Sequence, residues 1–271
     1  MTIFPKRKKV WPLITNKSRS RHKLDFLISW FVPVILIGVW QILSSIGWIS
    51  TRTLPAPLTV IESAVHLTTT GELFHHIGDS AVRALLGLGI GGSTGLLLGF
   101  LNGIFPIAEK LLDSTIQMLR NIPHLALIPL AIMWFGIGEE SKLFLVALGV
   151  FFPIYLNTFH GIRHIDPGLI EVGKVYQLTN WYFIWHIMLP NALPSILIGL
   201  RYALGIMWLT LIVAETISFD SGIGYMAMNA REFMQMDVVV LSILLYALLG
   251  KLADVFAKIL EKRCLRWRVN G

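Results

Sequence analysis

Long apolar runs alternate with short polar joints along the chain, and six runs approach the roughly 20 residues that an α-helix needs to cross a bilayer. They lie at about 27–46, 84–104, 115–135, 143–159, 194–214 and 238–257. The pattern predicts an all-α integral membrane protein with six transmembrane helices. The first run follows a basic tail, as the apolar part of a secretory signal would. It is too long for that role and ends in Ser44-Ser45-Ile46-Gly47-Trp48 with no small-x-small cleavage site, so it reads as an uncleaved first helix.

Composition strengthens this picture: 55% of the 271 residues are hydrophobic and 14% are charged, far more apolar side chain than one soluble core can hold. The single cysteine, Cys264, rules out a disulfide framework within the chain and reads as a free cytoplasmic thiol. Charge then sets orientation, because cytoplasmic flanks retain Lys and Arg during insertion. The tail before residue 26 carries eight basic residues and the end from Lys258 onward carries five. With Lys110, Arg163 and Lys174, sixteen of 23 fall on one side, against Arg52, Lys142 and Arg231 among nine carboxylates on the other. Both termini are therefore expected in the cytoplasm. The net charge of +7 is accounted for by the membrane surface and its lipids, which removes the main support for a nucleic-acid partner.

In the second run Gly87, Gly91, Gly95, Gly99 and Gly103 recur every four residues, placing bare backbone along one helix face where another helix can approach. Gly87, Gly89 and Gly92 formally match a dinucleotide fingerprint. No alternating strand precedes them and the glycines continue at helical spacing, so close packing is preferred. The third run contains Pro123 and Pro129, each of which removes an intrahelical hydrogen bond, so this helix should bend or break. Freed carbonyls are tolerated in lipid only when buried in protein or lining a wet cavity. Arg120, Asn121, Pro123, His124 and Pro129, with Arg201 in the fifth run, are thus candidates to border a translocation path, with a packed kink and snorkelling arginines as the alternative. Lys251 and Asp254, three apart on the last run, are expected to pair.

The stretch EVGKVYQLTNWYFIWHIMLPNALPS, residues 171–195, mixes charge, aromatics and prolines between spans four and five, on the cytoplasmic side. Asp166 before Pro167 is a helix start. The residues after it place Glu171, Lys174 and Gln177 on one side and Leu169, Val172 and Tyr176 on another. Thr179 and Asn180 interrupt this helix, Asn180 can cap a second one over Trp181 to Leu189, and Pro190 and Pro194 should end it. The result is a helix-turn-helix knob whose aromatics Trp181, Tyr182, Phe183 and Trp185 would fix it against headgroups or the bundle.

This stretch resembles the EAA loop of ABC-importer permeases. Glu171-Val172-Gly173 stand at Glu-Ala-Ala, Gln177 at the Gly four residues further on, and Ile187-Met188-Leu189-Pro190 at Ile-x-Leu-Pro. Val172 and Gly173 depart from Ala, and Gln177 departs from Gly. Residues 26–268 as a whole look like permeases of aliphatic sulfonate importers, and less closely like taurine, nitrate and bicarbonate permeases. The resemblance implies a type I ABC importer permease fold with cytoplasmic coupling helices in a bacterial inner membrane, serving sulfur uptake. The chain would divide into a basic tail over 1–25, a first helix and outer connection over 26–78, a core over 79–260 with its coupling loop over 161–193, and a second basic tail over 261–271. Implied partners are an ABC ATPase subunit docking on the loop, an extracytoplasmic solute-binding protein and a second permease copy as a homodimer. ATP and Mg would sit on the ATPase.

The residues themselves agree. No Gly-x-x-x-x-Gly-Lys-Ser/Thr phosphate loop is present, so the chain is expected to bind no cofactor and to catalyse nothing itself. A secondary transporter would need carboxylate or His relays inside the membrane, of which the spans hold almost none. His160 and His164 could meet a metal four residues apart, but a third ligand is not evident and no metal site is expected.

Overall fold

A computed structural model describes residues 19–217 and 221–267, with side chains from residue 31 onward. Most of the basic tails expected at 1–25 and 261–271 therefore lies outside the described residues or their side chains. Contacts divide the chain into Met1–Leu58 and Thr59–Gly271. The first unit holds α1 (Arg19–Ser45), whose part Phe31–Ser45 is apolar, with Pro33 inside it. Gln41 on this helix accepts a hydrogen bond from the Leu58 amide through Oε1 at 3.2 Å.

Among its described residues the second unit consists of helices and short joints, with no strand. It comprises α2 (Pro57–Thr69, entering from the first unit), α3 (Glu72–Ile104), α4 (Pro106–Arg120), α5 (Ile128–Phe135), α6 (Glu139–Arg163), α7 (Pro167–Val175), α8 (Asn180–Phe183), α9 (Leu189–Glu215), α10 (Ile223–Glu232) and α11 (Met236–Cys264). A 3₁₀ turn, His124–Leu127, precedes α5, and a π-helical turn, Ile184–Met188, joins α8 to α9. Among the described residues four helices are long and apolar enough to cross a membrane: α3, α6, the continuous 180–215 rod and α11. A fifth span exists if α4 and the 124–135 segment, bent by 85°, count as one. α1 stands where the first of the six expected spans lies.

The glycine stripe sets the tightest contact. A β-carbon at Gly91 would strike the Ala147 carbonyl, one at Gly95 would fall 2.7 Å from the Phe151 oxygen, and one at Gly99 2.7 Å from the Tyr155 oxygen. At the stripe's ends Gly87 abuts Val146 and Gly103 abuts Ile162. The two backbones run side by side for four turns, close enough for carbonyl contacts that no larger residue permits. α9 closes the other side of α6, with Gly149 against Thr210 and Gly199 against Asn157. Val146, Val150, Ile154, Leu204, Met207 and Leu211 fill the seam as one buried cluster.

Several local expectations change. The second span begins at Glu72, twelve residues before the apolar run, because helix geometry persists through the polar positions His76, Ser80 and Arg83, all buried. The third run breaks at Asn121–Pro123. Pro129 does not add a second break: it occupies the first turn of α5, where its missing N–H removes no bond. Pro190 and Pro194 do not end the second knob helix either. At the π turn the Leu189 amide returns to the Ile184 carbonyl, and Pro190 then stands in the first turn of α9. The hydrogen-bond register shifts where proline cannot donate, so the rod continues. Asp254 pairs with Arg201 at 2.8 Å and Lys258 at 2.9 Å rather than with Lys251. The i,i+4 lysine lies nearer its face, and α9 supplies the guanidinium.

Candidate functional site

The α7–α8 loop projects from the end of α6 that carries Arg163. Asp166 starts it as the sequence suggests, accepting from the Gly168 amide at 2.8 Å with Pro167 in the first turn. α7 is only nine residues long and shows no inward apolar face: Val172, Val175 and Tyr176 are 47%, 79% and 74% exposed. The apolar side of this helix is therefore not covered by this chain, and its buried position is Gly173. That glycine lies under the ring of Phe183, where a β-carbon would come within 2.7 Å of Cδ2. The second helix is capped by Thr179, whose hydroxyl accepts from the Tyr182 amide at 3.4 Å, and not by Asn180, its first residue. Trp181, Tyr182 and Trp185 all remain exposed.

Gln177 adopts φ +48°, the left-handed region that glycine favours. The bend lets the Leu178 amide return to the Gly173 carbonyl at 3.0 Å and closes α7. A cavity of about 420 Å³ opens between the two helices, lined by Ile170, Gly173, Lys174, Gln177, Phe183 and neighbours. Glu171 is exposed beside it, and Ile187, Leu189 and Pro190 lie where the loop passes through the π turn into α9.

The broken helix forms a second feature. Arg120 and Asn121 end α4 exposed, Pro123 opens the 3₁₀ turn, and His124 is brought inward, its Nε2 3.2 Å from the hydroxyl of buried Thr210 on α9. α4 is braced against α6 by Glu109–Arg163 at 2.8 Å and by the Tyr155 hydroxyl donating to Asp113 at 2.9 Å. Arg201 is not gathered with these residues in any contact, since its guanidinium is held by Asp254.

A third constellation lies at the opposite end of the bundle, beyond about 37 Å of α6. Glu215, fully buried at the end of α9, accepts from the Ser80 hydroxyl at 2.8 Å, Arg83 Nη1 at 3.0 Å, the Gly224 amide at 3.0 Å and the Tyr246 hydroxyl at 2.8 Å. Arg83 also donates Nε to Glu139 Oε2 at 2.6 Å, Nη2 to Glu139 Oε1 at 2.7 Å, and further bonds to the Ser221 carbonyl and hydroxyl. Lys142, also buried, donates to Glu139 Oε1 at 3.0 Å. The knot ties α3, α6, α9, α10 and α11 together. Sequence reasoning passed over it, counting Lys142 only as a charge on the outer side, although Arg83 and Glu215 each border an apolar run and a buried charge there demands a partner. Among the described residues no cluster of three or more His, Cys, Asp or Glu could hold a metal ion.

Comparison with known proteins gives these features their setting. The family model of the binding-protein-dependent transport system inner membrane component matches residues 91–266. A protein of Escherichia coli K12 named as an aliphatic sulfonates transport permease, SsuC, is 61% identical over 88% of this chain and 90% of its own length. The SsuC protein of Bacillus subtilis 168 is 44% identical over 93% and 92%. A crystal structure of an amino acid ABC transporter superposes with a TM-score of 0.60 at 16% identity, over 74% of this chain and 97% of that one, which bears on the fold alone. Matched over more than half its length and aligned nearly end to end with such relatives, the chain belongs to the inner-membrane permease components of binding-protein-dependent ABC transport systems.

Proposed function

We propose that this permease forms the translocation path of an ATP-driven importer for aliphatic sulfonates. The observation that carries the reading is the α7 loop: a short helix, capped at its start and closed at Gln177, that presents Val172, Val175 and Tyr176 outward. Apolar side chains on so small an element favour burial in a partner's groove, and the loop stands in the frame of the EAA motif. The partner is the ATPase subunit, which supplies ATP and Mg. The solute class is drawn from the relatives named for aliphatic sulfonates.

Counting α1 and the broken α4–α5 pair as one crossing each gives six, which returns both termini to the cytoplasmic side with α7. The knot around Glu215 then faces the extracytoplasmic solute-binding protein. Two copies pair as a homodimer, and the break at Arg120, Asn121, Pro123 and His124 borders the path between them, with Pro129 at the start of its second arm. The bend leaves backbone carbonyls without helical partners, and such groups persist at membrane depth only beside protein or water. Nucleotide-driven closure of the ATPases would rock the α6–α9 rods through the coupling loops.

Uptake of a radiolabelled alkanesulfonate into cells or proteoliposomes holding the permease, its ATPase and the binding protein tests the reading. Uptake should vanish when the ATPase is inactivated while the assembly stays intact. Uptake that persists under those conditions, driven by an ion gradient, would overturn it.

A further inference from the structure

The break between α4 and α5 lies halfway along the bundle. Ile116 of α4 packs with Phe152 and Tyr155 of α6, and the His124 ring lies 3.7 Å from where a β-carbon of Gly149 would stand. These α6 positions fall about 15 to 24 Å from Glu139 on a helix about 37 Å long, the middle of a hydrocarbon core about 30 Å thick. Arg120 sits between the two contacts, about 6 Å of helix beyond Ile116. It is exposed, and among the described residues nothing accepts a bond from its guanidinium.

A guanidinium without a counter-ion is costly at that depth. The other arginines of the bundle are matched: Arg83 by Glu139 and Glu215, Arg163 by Glu109, and Arg201 by Asp254. A second copy of the chain does not supply the missing carboxylate. On α4, Glu109 is held by Arg163, and Asp113 accepts from Tyr155 and Gln117. Asp254 of α11 is held by Arg201 and Lys258, while α3, α6 and α9 carry their carboxylates only within about two turns of an end. In a two-fold pair each Arg120 meets the same chemistry again, and like charges do not neutralise one another. The carbonyls freed by the break already require protein or water beside them, so this side chain opens on water and takes its counter-ion from solution.

We propose that Arg120 binds the anionic head of the solute within the path, its fork of N–H donors taking two oxygens of a sulfonate. The exposed Met118, Leu119 and Ile122 around it receive the alkyl chain. The inference rests on the proposed importer and gives its path a specificity-determining contact for an alkyl oxyanion. One guanidinium matches one delocalised charge, and its opening on water keeps the contact weak enough to release a solute in transit.

The purified full-length permease in detergent tests this without ATP or a binding protein. Cys264 is the single cysteine, so a Cys264→Ser background is free of thiols. On it, Ile122→Cys should react with a neutral, water-soluble methanethiosulfonate. Sodium butanesulfonate should slow that reaction saturably and several-fold, with sodium chloride at equal concentration acting much less. Adding Arg120→Gln should abolish the protection, and Arg120→Lys, which keeps the charge and loses the fork, should retain part of it. An unreactive thiol would mean that the break faces lipid or protein, and protection that is absent or survives Arg120→Gln would deny Arg120 the contact; each result overturns the inference. If Ile122→Cys does not survive extraction, Met118→Cys carries the same measurement with the same outcomes. Failure of ATP-dependent uptake by the wild type would count against the importer reading and not against this one, because thiol protection reads binding alone.

Discussion

Gly173 on α7 lies directly beneath the ring of Phe183 on α8, close enough that a β-carbon would sit 2.7 Å from Cδ2. The EAA pattern places Ala there, so the departure and the aromatic that exploits it belong together. Gly173→Ala should push the ring aside and loosen the two helices by about 1–3 kcal/mol, as overpacking does. Amide exchange at Tyr176 and Leu178, whose N–H groups return to Val172 and Gly173, should speed up accordingly. Combining it with Phe183→Leu should recover most of the protection; strict additivity of the two changes would show that the contact is not coupled.

Gln177 offers the opposite experiment. At φ +48° a side chain pays conformational strain that glycine avoids, about 1 kcal/mol. Gln177→Gly should slow exchange of the Leu178 amide about fivefold, while Gln177→Val, β-branched in the left-handed region, should accelerate it. Unchanged exchange in both variants would mean that the turn is not held in this conformation.

What was legible in the sequence came from periodicity and from single residues with strong local effects. The four-residue glycine repeat predicted a face for close helix approach, and Pro123 predicted a break, because each acts through backbone geometry that the residue itself determines. Asp166 could be assigned as a cap for the same reason. The periodicity of α7 separated Val172 and Tyr176 from the charged side but did not say that this chain leaves them exposed. The register shift that carries the rod past Pro190 has no periodic signature. The knot around Glu215 was invisible as a unit because Ser80 and Arg83 lie 135 and 132 residues from it in the chain. Only folding shows that charges at the margins of different apolar runs share one site.

The glycine repeat can be tested position by position. Gly91→Ala drives a methyl into the Ala147 carbonyl, an unyielding backbone group, whereas Gly89→Ala, two residues away, meets nothing within 4 Å. The first should cost about 1–3 kcal/mol of packing. The second should be neutral or stabilising by up to about 1 kcal/mol through helix propensity. Thermal midpoints of the purified variants should separate in that order. Equal midpoints would mean that α3 and α6 do not approach as closely as the structure has them.

Glu215→Gln keeps the size of the buried side chain and removes its charge. The amide would turn a donor toward Ser80, Gly224 or Tyr246, which already donate there, and would leave Arg83 with Glu139 as its remaining carboxylate. Removing one member of a buried ion pair typically costs about 3–5 kcal/mol, so folded yield should fall sharply. Ser80→Ala, which removes one donor to Glu215 and leaves the buried Ile223 amide without its acceptor, should cost less, about 1–3 kcal/mol. A full yield of stable Glu215→Gln protein would show that the knot contributes little to the fold.

Glu171 is exposed on α7 and no described residue of this chain bonds its carboxylate, so a change there acts on whatever docks against the loop. Glu171→Arg reverses charge beside the exposed Val172 and Val175 without disturbing the Asp166 cap or the Gly173–Phe183 contact. If the ATPase groove offers a cation to this position, like charge in the buried interface is worth several kcal/mol, enough to dissociate a modest complex. Membrane insertion and the thermal midpoint of the isolated permease should match wild type, while ATPase co-purification and sulfonate uptake should fall together. Pro190→Ala restores a backbone donor at the end of the π turn and should leave co-purification nearly intact while lowering the solute moved per ATP hydrolysed, because the join between knob and α9 becomes free to shift register. Wild-type retention and uptake in both variants would show that the ATPase engages some other part of the chain.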